Sequence, residues 1–375
     1  MKRYQRCNRC IMDNASDETI TFDENSICNY CRDALAIKDK VYLPNEVGQK
    51  KLEDMTKEIK SAGQNKKYDC ILGLSGGLDS SYLTMLAYNL GLKVLLVHID
   101  DGYDTDIAMS NIQKLRAKTG FDYETIIPDA EQYNALTLAF MKAGVANIAI
   151  PQDNILFAFL YKCVKKYNIQ YMLSGGNFSL ECILQRGNTH SASDVIHIKD
   201  IAKKFCEKPI DKLEFISTIK KLTDRYFLNI KTFTPLDWVS YTRNKAFKEL
   251  ADFCGFEYYG RKHLENKLTA FIQLRWFPEK FGVDKRTSHL SSMIVSGQIT
   301  RDEALKELEE PMYNEKQMAE YVELIKKNMH LTDEEFEAIM KAPAHRHEEY
   351  KIENRTISFN TLRLFYHIFK KVFIR

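Results

Sequence analysis

The absences in this 375-residue chain narrow its identity first. It has no uninterrupted apolar run long enough for a bilayer. The most apolar stretch, Ala135 to Tyr161, is broken by Lys142, Pro151, Gln152 and Asp153, which excludes a transmembrane helix there. An excess of either charge is also missing. Fifty-four Lys and Arg face 51 Asp and Glu, and a net charge of +3 does not by itself imply a polynucleotide partner. Met1-Lys2-Arg3-Tyr4 leads into cysteines rather than an apolar segment, so no signal peptide is expected, and the cytoplasm is the expected compartment. Nine cysteines cannot all pair, and five of them (Cys70, Cys163, Cys182, Cys206, Cys254) are scattered, which argues against a disulfide framework. No repeat or low-complexity tract is present.

What remains is an ordinary globular composition, 45% hydrophobic and 28% charged, with length for two or three domains. The organisation reads as four segments: a four-cysteine module at 1–35, a helical connector at 36–67, an alternating strand–helix domain at 68–256 and a mostly helical region at 257–375.

In the first segment Cys7-x-x-Cys10 and Cys28-x-x-Cys31 are separated by seventeen residues. Each pair can close a knuckle on one metal face, and four thiolates complete a tetrahedron, the pattern of a closed structural Zn²⁺ site. The connector includes a surface helix expected from Lys50 to Ala62, stopped by Gly63.

From Tyr68 onward strands alternate with helices. Strands are expected at Cys70–Leu72, Lys93–Ile99, Tyr123–Ile127, Ile169–Leu173 and Phe227–Phe233, with helices near 107–119 and, interrupted around Pro151, up to Tyr167. Such alternation implies an α/β fold, a doubly wound parallel five-stranded sheet with helices on both faces. Ligands then sit beyond the carboxyl ends of the strands. That edge gathers Ser75-Gly76-Gly77-Leu78-Asp79-Ser80-Ser81, Ile99-Asp100-Asp101-Gly102 and Ser174-Gly175-Gly176-Asn177.

The first of these lies between a strand and a helix, where backbone N–H groups and the positive helix end converge on a phosphate. Its paired glycines permit close approach, and its serines add hydroxyl donors. Asp79 would repel a phosphate unless Mg²⁺ lies between them. The spacing is not that of the G-x-x-x-x-G-K-[ST] loop. It resembles instead the Ser-Gly-Gly-x-Asp-Ser loop of the ATP-pyrophosphatase superfamily, whose members split ATP into AMP and pyrophosphate. This likeness implies a sheet of the adenine-nucleotide hydrolase type, with Asp79, Ser75 and Ser80 at the catalytic centre. It also implies ATP contacts from Ser75, Gly76, Gly77, Asp79, Ser80 and Ser81, adenine contacts from Ile99 and Asp100, and ribose or phosphate contacts from Gly175 and Gly176.

Later motifs sharpen the likeness. Pro151-Gln152-Asp153-Asn154, Lys262-His263-Leu264-Glu265, Phe281-Gly282-Val283-Asp284-Lys285-Arg286 and Leu290 to Arg301, with the cysteines and the loop, are similar to the N-acetyl sugar amidotransferases of bacterial surface-polysaccharide and nonulosonic-acid synthesis. The resemblance implies adenylation of an acetamido oxygen by ATP with Mg²⁺, then displacement of AMP by ammonia to give an acetamidino group. The substrate would be a nucleotide sugar or a nonulosonic acid. Lys262, His263, Glu265, Lys285 and Arg286 become candidates for holding it.

Met1 is followed by lysine rather than a nucleophilic cysteine, and no Gly-x-Cys-x-Gly elbow occurs, so ammonia is expected from a separate glutaminase partner. Two other readings stand beside this one. A tRNA sulfurtransferase pairs a zinc module with the same loop but needs a sulfur-bearing cysteine at the crevice and a broad basic surface. A non-enzymatic nucleotide-binding scaffold would bind ATP without forming AMP. Between Arg261 and His289, seven Lys or Arg face three acids with aromatics interleaved, which suits a nucleotide sugar, suits RNA, or forms solvated helices with an aromatic core. Thr300-x-x-Glu303 and Thr332-x-x-Glu335 read as capping boxes, and Asn360–Arg375 as a basic amphipathic helix that packs on its own protein or a partner, or lies on a membrane.

Overall fold

A computed structural model describes residues 3–355. The amphipathic segment at Asn360–Arg375 lies outside the described residues. Five parallel strands, β1 (Cys70–Gly73), β2 (Val94–Ile99), β3 (Asp122–Ile126), β4 (Tyr171–Leu173) and β5 (Lys231–Phe233), form one sheet in the order β3-β2-β1-β4-β5. The register pairs Ile71 with Leu95 and with Met172. The chain therefore winds outward from β1 in both directions, which leaves a crevice at the carboxyl ends of β1 and β4.

Ten helices accompany the sheet: α1 (Asn29–Val41), α2 (Glu46–Ala62), α3 (Leu78–Asn89), α4 (Asp106–Thr119), α5 (Ala130–Lys142), α6 (Ile150–Lys166), α7 (Phe178–Glu181), α8 (Val195–Phe205), α9 (Thr218–Phe227) and α10 (Arg243–Cys254). Strand alternation sorts the core. Leu72, Leu74, Val94 and Leu96 pack with Leu83, Ala87, Ile112 and Leu115 on one face. Ile71, Leu95 and Val97 pack with Leu160, Tyr161 and Val164 on the other.

The last region holds α11 (Lys267–Phe271), a π-turn at Ile272–Trp276, α12 (Phe277–Phe281), α13 (Arg286–Ser296), α14 (Arg301–Glu309), α15 (Glu315–Met329) and α16 (Asp333–Lys341). Trp276, Phe271 and Phe277 join Tyr103, Tyr133 and Phe140 in a shared core, so this region closes over the crevice. Both capping boxes form, at Thr300/Glu303 and Thr332/Glu335.

Several boundaries differ from expectation, each for a local reason. The connector helix begins at Glu46 rather than Lys50, because the Asn45 side chain accepts from Val47 N–H and Gly48 N–H. Helix α1 was not legible; Cys28 caps it, and it runs across the boundary drawn at 35/36. Phe227 ends α9 instead of opening β5, since Asn229 adopts φ +49° and turns the chain before Lys231. Helix α6 starts with Pro151 in its first turn, so the break lies between Ala143 and Ala149.

No helix among the described residues is long and apolar enough to cross a membrane.

Candidate active site and metal centre

The carboxyl edge of the sheet opens into a cavity of about 520 Å³, walled by the β1–α3 loop, the ends of β2 and β4, the start of α6, residues Tyr258–Asn266 and the first turn of α13. The loop is cross-linked by its own hydroxyls. Ser75 N–H donates to Ser80 Oγ at 3.2 Å, the two hydroxyls lie 3.1 Å apart, and Gly77 N–H donates to Ser75 Oγ at 3.2 Å. Gly76 carries φ +74°, and a Cβ there would stand 2.5 Å from the Ala108 carbonyl oxygen, so the loop is pressed against α4.

Asp79 lies in the first turn of α3 and is densely bound. Its carboxylate accepts from Lys262 Nζ, from Tyr241 Oη and, at 3.1 Å, from Asn177 Nδ2. Burial works against its charge, but the Lys262 ammonium and the Tyr241 hydroxyl outweigh it and hold the carboxyl below its ordinary range. Burial likewise disfavours the Lys262 charge, and Asp79 with Glu181 (Oε1 at 3.1 Å) more than restores it, so its pKa is raised.

The same segment closes over the loop at two further points. Tyr259 Oη accepts from Leu78 N–H at 2.9 Å, and Glu265 Oε1 accepts from Ser75 Oγ at 3.2 Å. Glu265 Oε2 is buried without a partner, and burial pushes that carboxyl up. His263 adopts φ +64°, unusual for a non-glycine residue, and its ring meets His289 at 5.4 Å. Burial, then the neighbouring Lys262, drives His263 down to about 3, and His289 is also held well below its usual range.

The expected site residues therefore divide. Ser75, Gly77, Asp79, Ser80, Ile99, Gly175, Lys262, His263, Glu265, Lys285 and Arg286 all line the cavity. Gly76, Ser81, Asp100 and Gly176 are not among the residues that line it. Ser81 is fully buried with its hydroxyl unpaired. Asp100 gives its N–H to Ile126 and its carboxylate to Gly102 N–H. Gly176 N–H donates to Ser174 Oγ. Arg286 commits its guanidinium to Asp284 and to the carbonyls of Leu308 and Glu310. Lys285 stands over the Phe277 ring at 4.9 Å, and burial brings its pKa down to about 8.

Sequence reasoning gave no role to Tyr241, Glu181, Tyr259, His289 or His98. No local motif marks them, and only the fold brings them to the loop. His98 bonds the Leu74 carbonyl and Asp104, both within 2.9 Å.

The four thiols Cys7, Cys10, Cys28 and Cys31 are buried, with their sulfurs all within 4.8 Å of one another. Arg9, Cys10 and Cys28 direct backbone N–H groups at Cys7 Sγ (3.3–3.5 Å), and Cys31 N–H points at Cys28 Sγ at 3.4 Å. Such N–H···S contacts favour thiolates, and the convergent tetrad fits a tetrahedral S₄ ion such as Zn²⁺. The module braces the cavity from behind. Arg301 of α14 donates to the Cys7 and Cys10 carbonyls, and Ile11 N–H donates to Ser291 of α13.

The parallel sheet carries the Ser75–Ser81 loop at its switch point, where β1 has β2 on one side and β4 on the other. Residues 265–364 match the family model described as LPS biosynthesis protein WbpG-like, C-terminal domain.

An uncharacterized protein of Methanocaldococcus jannaschii is 22% identical over 309 residues, covering 82% of this chain and 94% of the relative. Among solved structures, NMN synthetase from Francisella tularensis is 15% identical and covers 56% of this chain and 92% of its own, with a TM-score of 0.29. NH3-dependent NAD synthetase from Campylobacter jejuni is 19% identical and covers 60% and 96%, with a TM-score of 0.30. A predicted subunit of tRNA methyltransferase from Methanocaldococcus jannaschii is 16% identical and covers 58% and 90%, with a TM-score of 0.32.

Proposed function

We propose that the chain is an ATP-dependent sugar amidotransferase. In this reading it adenylates the acetamido oxygen of an N-acetylated sugar and replaces that oxygen with ammonia, releasing AMP and pyrophosphate. The observation that carries it is the joining of two halves in one cavity. The Ser75–Ser80 loop with Asp79 forms one wall, and residues of the lipopolysaccharide-biosynthesis-like domain, Glu265 through His289, form the opposite one.

An amide carbon is a poor electrophile and its oxygen a poor leaving group; an adenylate on that oxygen corrects both. The loop N–H groups and the Ser75 and Ser80 hydroxyls, which here bond one another, Tyr259 and Glu265, would turn to the pyrophosphate as negative charge develops on it. Asp79 and Glu181 share a single ammonium, Lys262, and Glu265 Oε2 is buried without a donor; Asp79, in the loop itself, is the carboxylate that would meet a divalent cation arriving with the nucleotide. Bound Mg²⁺ would supply charge neutralisation there. Lys262 orients Asp79, and Tyr241 and Asn177 fix the same carboxylate.

Among the described residues no cysteine lines the cavity, which supports both an external ammonia source, such as a separate glutaminase, and this reading over sulfur transfer. The test is incubation with ATP, Mg²⁺ and ammonium over a panel of nucleotide-linked diacetamido sugars and nonulosonic acids. Expected are AMP, pyrophosphate and a product lighter by about one mass unit, as oxygen gives way to NH. Formation of ADP alone, or tight filter retention of tRNA with sulfur transfer, would overturn it.

A further inference from the structure

Six carboxylates line the cavity, and five are already engaged. Asp79 binds Lys262, Glu181 binds Lys262, Asp104 binds His98, Glu307 binds Arg243, and Glu265 accepts from Ser75. Asp153 is the exception: among the described residues its carboxylate has neither an ion pair nor a hydrogen bond. Its position is nevertheless fixed. Gln152 Nε2 donates to Asp101 at 2.6 Å, and Asn154 is buried, bonded to the carbonyls of Ala192 and Ile216 and to Ile216 N–H. Both neighbours are tied into the protein, so the first turn of α6 presents Asp153 to the cavity as a rigid element.

We propose that Asp153 receives the amine nucleophile, holding the incoming ammonium and taking its proton as nitrogen attacks the adenylated carbon. This rests on the amidotransferase reading. Ammonium gives one proton to the Asp153 carboxylate, and the lone pair so released forms the C–N bond. The C–O bond to the nucleotide breaks, with its electron pair leaving on AMP. Of the three hydrogens left on ammonia, two stay on the new nitrogen and one passes to the sugar nitrogen, giving the amidinium.

Alternative proton acceptors in the cavity are poorer. Of the three imidazoles that line it, His98 is already bonded to the Leu74 carbonyl and to Asp104, and His263 and His289 are held at such low basicity that they retain protons weakly. Burial raises the Asp153 carboxyl to about 6, with the Lys221 charge opposing it, which brings the carboxylate closer to the basicity a proton acceptor needs near neutrality. Lys221 itself donates to Ser193 and lies over Phe157, leaving Asp153 open.

The experiment compares ammonium chloride with hydroxylamine, which is largely unprotonated at neutral pH and needs no base to become a nucleophile. AMP release and product mass are followed for wild type, Asp153→Asn and Asp153→Glu, using a nucleotide-linked diacetamido sugar that wild type accepts. The ammonium-to-hydroxylamine rate ratio should fall at least tenfold in Asp153→Asn and recover partly in Asp153→Glu. An unchanged ratio overturns the assignment, as does equal loss with both nucleophiles in both variants. Failure of wild type to release AMP with any sugar and either nucleophile marks failure of the amidotransferase reading itself.

Discussion

The Lys262 ammonium is bound to the Asp79 carboxylate, and through it residues 183 positions apart join the β1–α3 loop to the C-terminal region. Each group is desolvated and each keeps its charge because of the other. Breaking the pair from either side should therefore stop catalysis rather than merely weaken binding. Asp79→Asn is expected to lower pyrophosphate release by at least about 10²-fold, and Lys262→Met by about the same, the cost typical of removing one preorganised electrostatic group. Circular dichroism should show the fold intact in both. Wild-type pyrophosphate release from Asp79→Asn would refute the placement of the catalytic centre.

Gly76 offers a test of the loop that touches no reacting group. Its φ is +74°, and the Ala108 carbonyl lies 2.5 Å from where a Cβ would stand, which leaves no room for a side chain against rigid backbone. Gly76→Ala is expected to cost about 1–3 kcal/mol in backbone strain and to raise the KM for ATP as the loop shifts off α4. Gly120, also at positive φ (+67°) but with open space around it and at the far end of α4, provides the control. Its alanine variant bears the conformational strain alone and should leave the KM for ATP near wild type.

What the sequence made legible was local. The strand–loop–helix at Ser75–Ser81, the two Cys-x-x-Cys knuckles and both Thr-x-x-Glu caps are each written within a few residues, where hydrogen-bonding rules act directly. Strand order was not legible, because alternation gives direction but not neighbours. The companions of Asp79 were hidden for a related reason. Asn177, Tyr241 and Lys262 come from three separate segments, and nothing in a tyrosine at 241 signals that a carboxylate 162 residues earlier awaits its hydroxyl. Arg286 shows the converse. A basic residue in a motif looks available in sequence, but here Asp284 and two carbonyls consume it. The stretch from Phe178 to Ser217 carried no periodic signal strong enough to read, although it supplies Glu181 to the site and His190 and His197 to a second cluster.

The cysteine module makes a prediction about metal and about shape together. Purified protein should carry about one Zn²⁺ per chain, and Cys28→Ser should lose it. Since Arg301 and Ser291 hold this module to α14 and α13, metal loss should also loosen the wall that presents His289. Expected after chelation are a lower melting temperature and faster hydrogen exchange in residues 286–301. Full metal content in Cys28→Ser would remove that cysteine from the centre.

The second histidine cluster predicts how stability responds to acid. His347 Nε2 accepts from Asn147 N–H at 3.2 Å, so its other nitrogen carries the proton and donates to His197 Nε2 at 2.8 Å. Both rings must be neutral for this chain of bonds to exist. Burial, then the neighbouring His190, depresses His197 to about 4, and burial, then His197 and His190, depresses His347 to about 3, against the pull of Asp194 and, for His197, Asp200; Lys204 adds to the lowering at His197. The unfolded chain, with ordinary imidazoles near 6.5, binds more protons than the folded one below that pH. Stability should thus be complete above about pH 6.5 and fall progressively from there toward pH 4. Asp194, held below its ordinary range although burial opposes its charge, adds a loss in the same direction at lower pH. Melting temperatures measured between pH 7.5 and 4.5 should show this slope. His347→Leu should flatten it while costing about 1–3 kcal/mol at neutral pH, because the Asn147 N–H then loses its acceptor. A slope unchanged by that substitution would assign the acid sensitivity to carboxylates instead.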